Sequence, residues 1–164
     1  MVKIMSVFLK RPVFFIWFII FLFSAENLVF AQSAEEIDVL LDTNEVTYAQ
    51  ISYLILNAAQ IQDVSSPDAA FNYAVQRNWL PRNASMQDKA RLDTMALLVM
   101  QAFSIPGGVM YSITRSGSYA LAAHYAYREL VYINIIQGRV SPQMKISGDQ
   151  LLYIVNSVLA REEE

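Results

Sequence analysis

An enzyme site needs a nucleophile, a base and a group that orients the base, and this chain offers few residues for those roles. Its 164 residues include no cysteine and one histidine. Thiolate catalysis, cysteine-held zinc, iron–sulfur clusters and disulfides are therefore excluded, and so is a histidine-rich metal site. No catalytic residue, metal ligand or cofactor is expected. His124 could titrate near neutral pH, but its nearest acid, Glu129, lies five positions on, which predicts a structural histidine rather than a general base. Arg128 and Glu129 are adjacent on a helical pattern, so their side chains diverge, and Arg128 is placed to bridge to another part of the chain. Asp88, Asp93 and Asp149 are scattered, reading as capping or solvated acids rather than the paired carboxylates of a glycosidase. Gly107-Gly108 has neither dinucleotide spacing nor the lysine of a phosphate loop.

Recognition chemistry is better represented. Residues 104–118 form a stretch of 15 residues without a strong helical period, and loops of that length often carry function. Tyr111, Arg115 and Tyr119 could there form a contact surface for a sugar or a protein; the competing reading is a plain linker. With Arg91 and Arg128 they are the candidate binding residues.

The elements that must position these groups begin behind a leader. The chain is 55% hydrophobic and 16% charged, too apolar for an ordinary soluble domain. Of the first 31 residues 23 are apolar, so the surplus is terminal. Lys3, Lys10 and Arg11 precede a core from Val13 to Phe23, then Ser24-Ala25-Glu26-Asn27 and Leu28-Val29-Phe30-Ala31. That order of charge, apolar core and small residue is the layout of a secretory signal. Residues 1–31 are expected to be a signal peptide cleaved after Ala31, with an uncleaved anchor as the alternative, and residues 32–164 a single helical domain in the periplasm or cell envelope. A membrane partner is expected only through the signal segment, if uncleaved. Removing residues 1–31 takes away three cations and Glu26, leaving nine basic and 14 acidic side chains, a net −5. Nucleic acid is not expected as a partner, because phosphate contacts need a basic surface. All nine tyrosines lie beyond residue 31, which suits helices that are half core and half contact surface.

Proline and glycine are scarce there and apolar residues recur at helical spacing, which predicts an all-α chain. Ser66-Pro67-Asp68 caps a helix running to about Arg77, ended by Trp79-Leu80-Pro81. Thr47 with Gln50 and Ser147 with Gln150 have capping-box spacing. Tyr119 to Ile135 is a further helix, stopped near Gly138 and Pro142. Shifts of 44 and then 56 residues align Ile51 with Met95 and Leu151, and Ile55 with Val99 and Val155. The 56-residue shift also superposes Asn78 on Asn134 and Trp79-Leu80 on Ile135-Ile136. Three helix–loop–helix units, at about 35–60, 67–104 and 119–161, are expected to pack as a pseudo-threefold bundle around one core.

A helix, a turn such as Asn134-Ile135-Ile136-Gln137-Gly138, a proline and a polar cap opening a Leu-rich helix resembles the S-layer homology domain. Pro142 with Ser147-Gly148-Asp149-Gln150-Leu151-Leu152 carries the resemblance best. Ala90-Arg91-Leu92-Asp93 before Ala96-Leu97-Leu98 is similar, and Val46-Thr47-Tyr48-Ala49-Gln50 echoes it. The resemblance implies a non-catalytic envelope module attached to cell-wall polysaccharide through the motif arginine. In the register that aligns the apolar stripes, that position holds Tyr48, Leu92 and Gly148, with Arg91 one place early. An envelope protein as partner, docking on a Tyr-rich helical face with polymer binding lost, is therefore the alternative.

Overall fold

The computed structural model describes residues 37–61, 64–138 and 140–162. The expected signal segment lies outside them. The chain divides after Leu40 into two compact units. Of the first, residues 37–40 are described and helical; the remaining elements belong to the second.

The second unit is all-α, with helices α1 (Tyr48–Ala58), α2 (Pro67–Gln76), α3 (Leu92–Ala102), α4 (Val109–Thr114), α5 (Tyr119–Tyr132) and α6 (Gly148–Glu162). Local chemistry starts them. Thr47 accepts from the Gln50 amide at 3.3 Å while Gln50 Oε1 accepts from the Thr47 amide at 2.8 Å, a complete capping box for α1. Ser66 accepts from the Ala69 amide at 3.2 Å, with Pro67 at the first helical position of α2. At α6 the Ser147 amide donates to Gln150 Oε1 at 3.4 Å.

Left-handed residues stop them. After α2, Asn78 at φ 57° donates to Val75 O at 3.0 Å and Trp79 donates to Ala74 O at 2.9 Å. After α5, Asn134 at φ 61° donates to Val131 O at 3.1 Å and Ile135 to Leu130 O at 2.9 Å. Both are Schellman ends, which satisfy carbonyls the helix leaves unpaired. The α5 helix thus stops at Tyr132, three residues short of the predicted Ile135, because the Schellman turn already uses Asn134 and Ile135.

Three segments preceding α1, α3 and α6 meet edge to edge. Thr47 bridges Lys89 and Arg91 bridges Lys145, both antiparallel. The Val46 amide donates to Ile146 O and the Ala90 amide to Val46 O, each at 2.8 Å, and Val46, Ala90 and Ile146 are buried. The leading amides of a helix have no partner within it. Here Tyr48 donates to Asp88 O, Ala49 to Met86 O, Leu92 to Met144 O, Asp93 to Pro142 O and Gly148 to Thr43 O, all at 2.9–3.1 Å. The helix starts are thereby locked to loops distant in sequence, and those loops form the walls of the grooves.

Helix α3 is the centre of the core, every residue from Leu92 to Met100 being buried, as expected of a helix apolar almost all round. It packs against α5 and α1, while α1 also meets α2 and α6, and α4 meets α5. Residues 104–118, expected to lack helical structure, contain α4. Its six residues make under two turns, too few for a periodic stripe to be visible. A Cβ at Gly107 would overlap the ring of Tyr111, so glycine there lets that ring lie directly on the backbone.

Among the described residues no helix is long and apolar enough to cross a membrane.

Candidate functional site

The arginine at the start of α3 organises a groove. Arg91 is the N-cap residue, in extended conformation, and its side chain makes no capping bond. It turns instead to Asp93 in the first helical turn, Nε donating to Oδ1 at 3.1 Å and Nη2 to Oδ2 at 2.5 Å. The Thr94 amide donates to the same Oδ1 at 2.8 Å. Asp93 is 10% exposed at its side chain and Arg91 42%, so the carboxylate is sunk and the guanidinium half in solvent. The hydrogen bond to Asp93, reinforced by its charge, holds the guanidinium pKa above its ordinary value, against an opposing effect of burial. A carboxylate at a helix N-terminus also complements the helix dipole. One edge of the guanidinium, formed by Nε and Nη2, faces Asp93, which leaves Nη1 to serve a ligand.

The groove beside this pair encloses about 490 Å3 and includes Tyr48, Asp88, Arg91, Asp93, Thr94, Tyr119 and His124 in its walls. Tyr119, the first residue of α5, lies close enough to Thr94 to hydrogen-bond with it. Burial pushes its phenol far up, assisted by Tyr48 and Asp93 and opposed by Thr94 and Arg91. Its hydroxyl also points to Trp79 O at 3.5 Å. His124, expected to be structural, is exposed on this wall, its ring edge-on to Tyr125 at 5.5 Å. Among the described residues no group of three His, Asp or Glu could hold a metal ion. A half-free arginine, Tyr119 and the hydroxyl and carboxylate acceptors of Thr94, Asp88 and Asp93 can bind a polyhydroxylated ligand.

A second cleft of about 640 Å3 shares Pro81, Asn83 and Tyr119 with the first and adds Arg77, Trp79, Arg82, Gln101 and Arg115. A smaller groove of about 250 Å3 lies between Leu92, Ile136, Met144, Asp149 and Ile154. There the Ser147 hydroxyl, helped by nearby backbone amides, holds the Asp149 carboxylate below its ordinary range.

Of the residues expected to bind, Tyr119 lines both larger cavities, Arg91 the first and Arg115 the second. Tyr111 is no contact residue. It is 3% exposed, because α4 turns it inward onto Gly107, where Gln101 Nε2 donates to its hydroxyl at 2.7 Å. Burial raises its phenol pKa, against the Gln101 hydrogen bond and the charge of Arg115. Arg128 is exposed on α5 and lines none of these three cavities. Asp93, Thr94, Tyr48 and Trp79 were not expected at a site. An acid two places after a cap arginine is a signal for Asp93, but nothing local links Tyr48 or Trp79 to it.

No protein-family model, curated protein or solved structure matches the chain.

Proposed function

We propose that the protein is an exported, non-catalytic binding module of the cell envelope, built as three S-layer-homology-like units and attached to a wall polysaccharide through the groove around Arg91. The observation that carries this reading is the groove itself: the Arg91–Asp93 pair shares with Tyr48 and Tyr119 the walls of a space of about 490 Å3 that suits a small ligand or a sugar unit of a chain. The charged pair supplies directional donors and acceptors, and half-buried Tyr119 supplies an aromatic face.

Recurring geometry supports the three-unit arrangement. The shifts of 44 and 56 residues that align the apolar stripes also relate Val46, Ala90 and Ile146. They carry the bonds from Tyr48 to Asp88 and from Ala49 to Met86 onto those from Leu92 to Met144 and from Asp93 to Pro142. They pair the left-handed Gln60 with Ser104 and Asn78 with Asn134. Tyr48, Asp88, Asp93 and Thr94 of the polar groove correspond to Leu92, Met144, Asp149 and Gln150 of the smallest one.

The test is sedimentation of the full chain with envelope sacculi. Pelleting with protease-treated sacculi that weakens about tenfold for Arg91→Ala is the expected result. Pelleting that disappears after protease treatment would overturn it in favour of the second reading, a protein partner. That reading rests on Tyr132 and Tyr153, each exposed, a residue type favoured at protein contacts.

A further inference from the structure

We infer a second ligand site in the cleft lined by Arg77, Arg82 and Arg115, which adjoins the groove around Arg91 at Pro81, Asn83 and Tyr119, and assign to it a phosphate monoester. Three cations of the nine beyond residue 31 line this cleft, and no carboxylate does. In a domain with a net charge of −5 that is a local reversal of sign, which concentrates anions. Among the described residues none of the three forms a salt bridge.

Two of them are held in place without an acid. The Arg77 guanidinium lies over the rings of Tyr73 and Trp79, at 4.4 and 5.6 Å from their centroids. The two rings are set edge to face, 5.7 Å apart. Cation–π contacts of this kind restrain the guanidinium and leave its N–H groups to an oxyanion. Arg82 donates from Nε to Asn78 Oδ1 at 2.9 Å, which restrains the side chain while its terminal nitrogens stay available. Asn78 can take that bond because its left-handed backbone, at φ 57°, ends α2 at the cleft. Arg115 follows α4 and also lines the cleft.

A carboxylate is satisfied by one bidentate arginine, whereas a phosphate monoester carries close to two charges at neutral pH and three terminal oxygens. Three arginines with no acid match the latter. The cleft also offers the Trp79 ring and the side-chain amides of Asn83 and Gln101, which suit the organic part of a sugar phosphate. This inference does not rest on polysaccharide binding at Arg91.

Trp17 and Trp79 are the only tryptophans, so in the full chain carrying Trp17→Phe the emission of Trp79 reports on the cleft, with titration calorimetry as the second measurement. Glycerol phosphate is expected to give saturable binding, about tenfold tighter than the diester glycerophosphoglycerol. Arg115→Gln and Arg77→Gln should each weaken it tenfold or more, while Arg128→Gln, which removes the same charge outside the cleft, should leave it unchanged. Equal responses to acetate or chloride at matched ionic strength would overturn the assignment. So would equal affinity for the diester, absence of heat and emission change, or arginine variants that bind like the parent while keeping its circular dichroism.

Discussion

Asp93 is a sunken carboxylate with one cationic partner, and its energetics follow from that asymmetry. Arg91 is half in solvent, so the ion pair as such contributes modestly. Removing the arginine leaves a buried acceptor short of two donors, which costs about 1–3 kcal/mol. Arg91→Ala is therefore expected to lower the urea midpoint by that equivalent, and Arg91→Ala with Asp93→Asn to cost less than the sum of the two single changes. Strict additivity in the cycle would mean that the pair is not coupled. The tyrosines make a second prediction. Burial raises the pKa of Tyr111 and Tyr119, so the folded chain favours the protonated phenol more than the unfolded chain does. Their stabilisation is complete below the ordinary tyrosine value of 10.0 and is lost as pH rises beyond it. Chemical denaturation from pH 8 to 11 should show stability falling above about pH 10, and Tyr119→Phe should flatten the fall; a parallel fall in the variant would sink this assignment. Little of this was legible in the sequence. Arg91 and Asp93 are two apart, a spacing that does not face on a helix. They meet because the cap residue is extended, at φ −97° and ψ 149°. Tyr111 reads as a contact residue until the ring is seen lying on Gly107.

Helix starts were legible because capping chemistry closes within four residues. Thr47 with Gln50 and Ser66 with Pro67 each carry their partner in the same short window. Helix ends were less legible: Trp79-Leu80-Pro81 marks the end of α2, but Gly138 and Pro142 lie well beyond the end of α5 at Tyr132. Asn78 and Asn134 occupy the left-handed position at small cost, whereas Gln60 at φ 55° and Ser104 at φ 52° occupy it without a residue type that marks it. Gln60 pays the steric penalty of a Cβ in that region, so Gln60→Gly is expected to stabilise the chain by about 0.5–1 kcal/mol. The same change at Gln50, inside α1, should destabilise by a similar amount or more through lost helix propensity and the lost capping box. Thermal unfolding of the two variants checks both signs, and a lower melting temperature for Gln60→Gly would contradict the cost assigned to that position. Helix α4 escapes sequence reading for a different reason. It is held by tertiary contact with α5 and by the inward Tyr111 rather than by a stripe of its own.

At the scale of the molecule, the spacing of 44 and 56 residues is legible as matching apolar stripes, because Ile51, Met95 and Leu151, like Ile55, Val99 and Val155, are all buried. The contents of the grooves are not, since the walls of one groove come from residue 48, residues 81–94, 119–124 and 142–143. In the proposed three-unit arrangement the grooves occupy related positions but have diverged in chemistry. Where one presents Tyr48, Asp88 and the Arg91–Asp93 pair, the other presents Leu92 and Met144, and Ser147 stands at the position related to Arg91. A polar polymer meets a half-free guanidinium in the first, whereas the second keeps Asp149 and Gln150 but offers no cation. A single chain is therefore expected to hold one polymer fragment, although its architecture would provide related sites. Calorimetry with soluble wall-polysaccharide fragments should give a stoichiometry of one. Asp93→Asn should weaken binding, by releasing Arg91 from its fixed orientation, whereas Asp149→Asn at the related position should leave it unchanged. A stoichiometry of two, or equal sensitivity to both substitutions, would mean that the smaller groove binds as well and that the Arg91–Asp93 pair does not decide where the polymer sits.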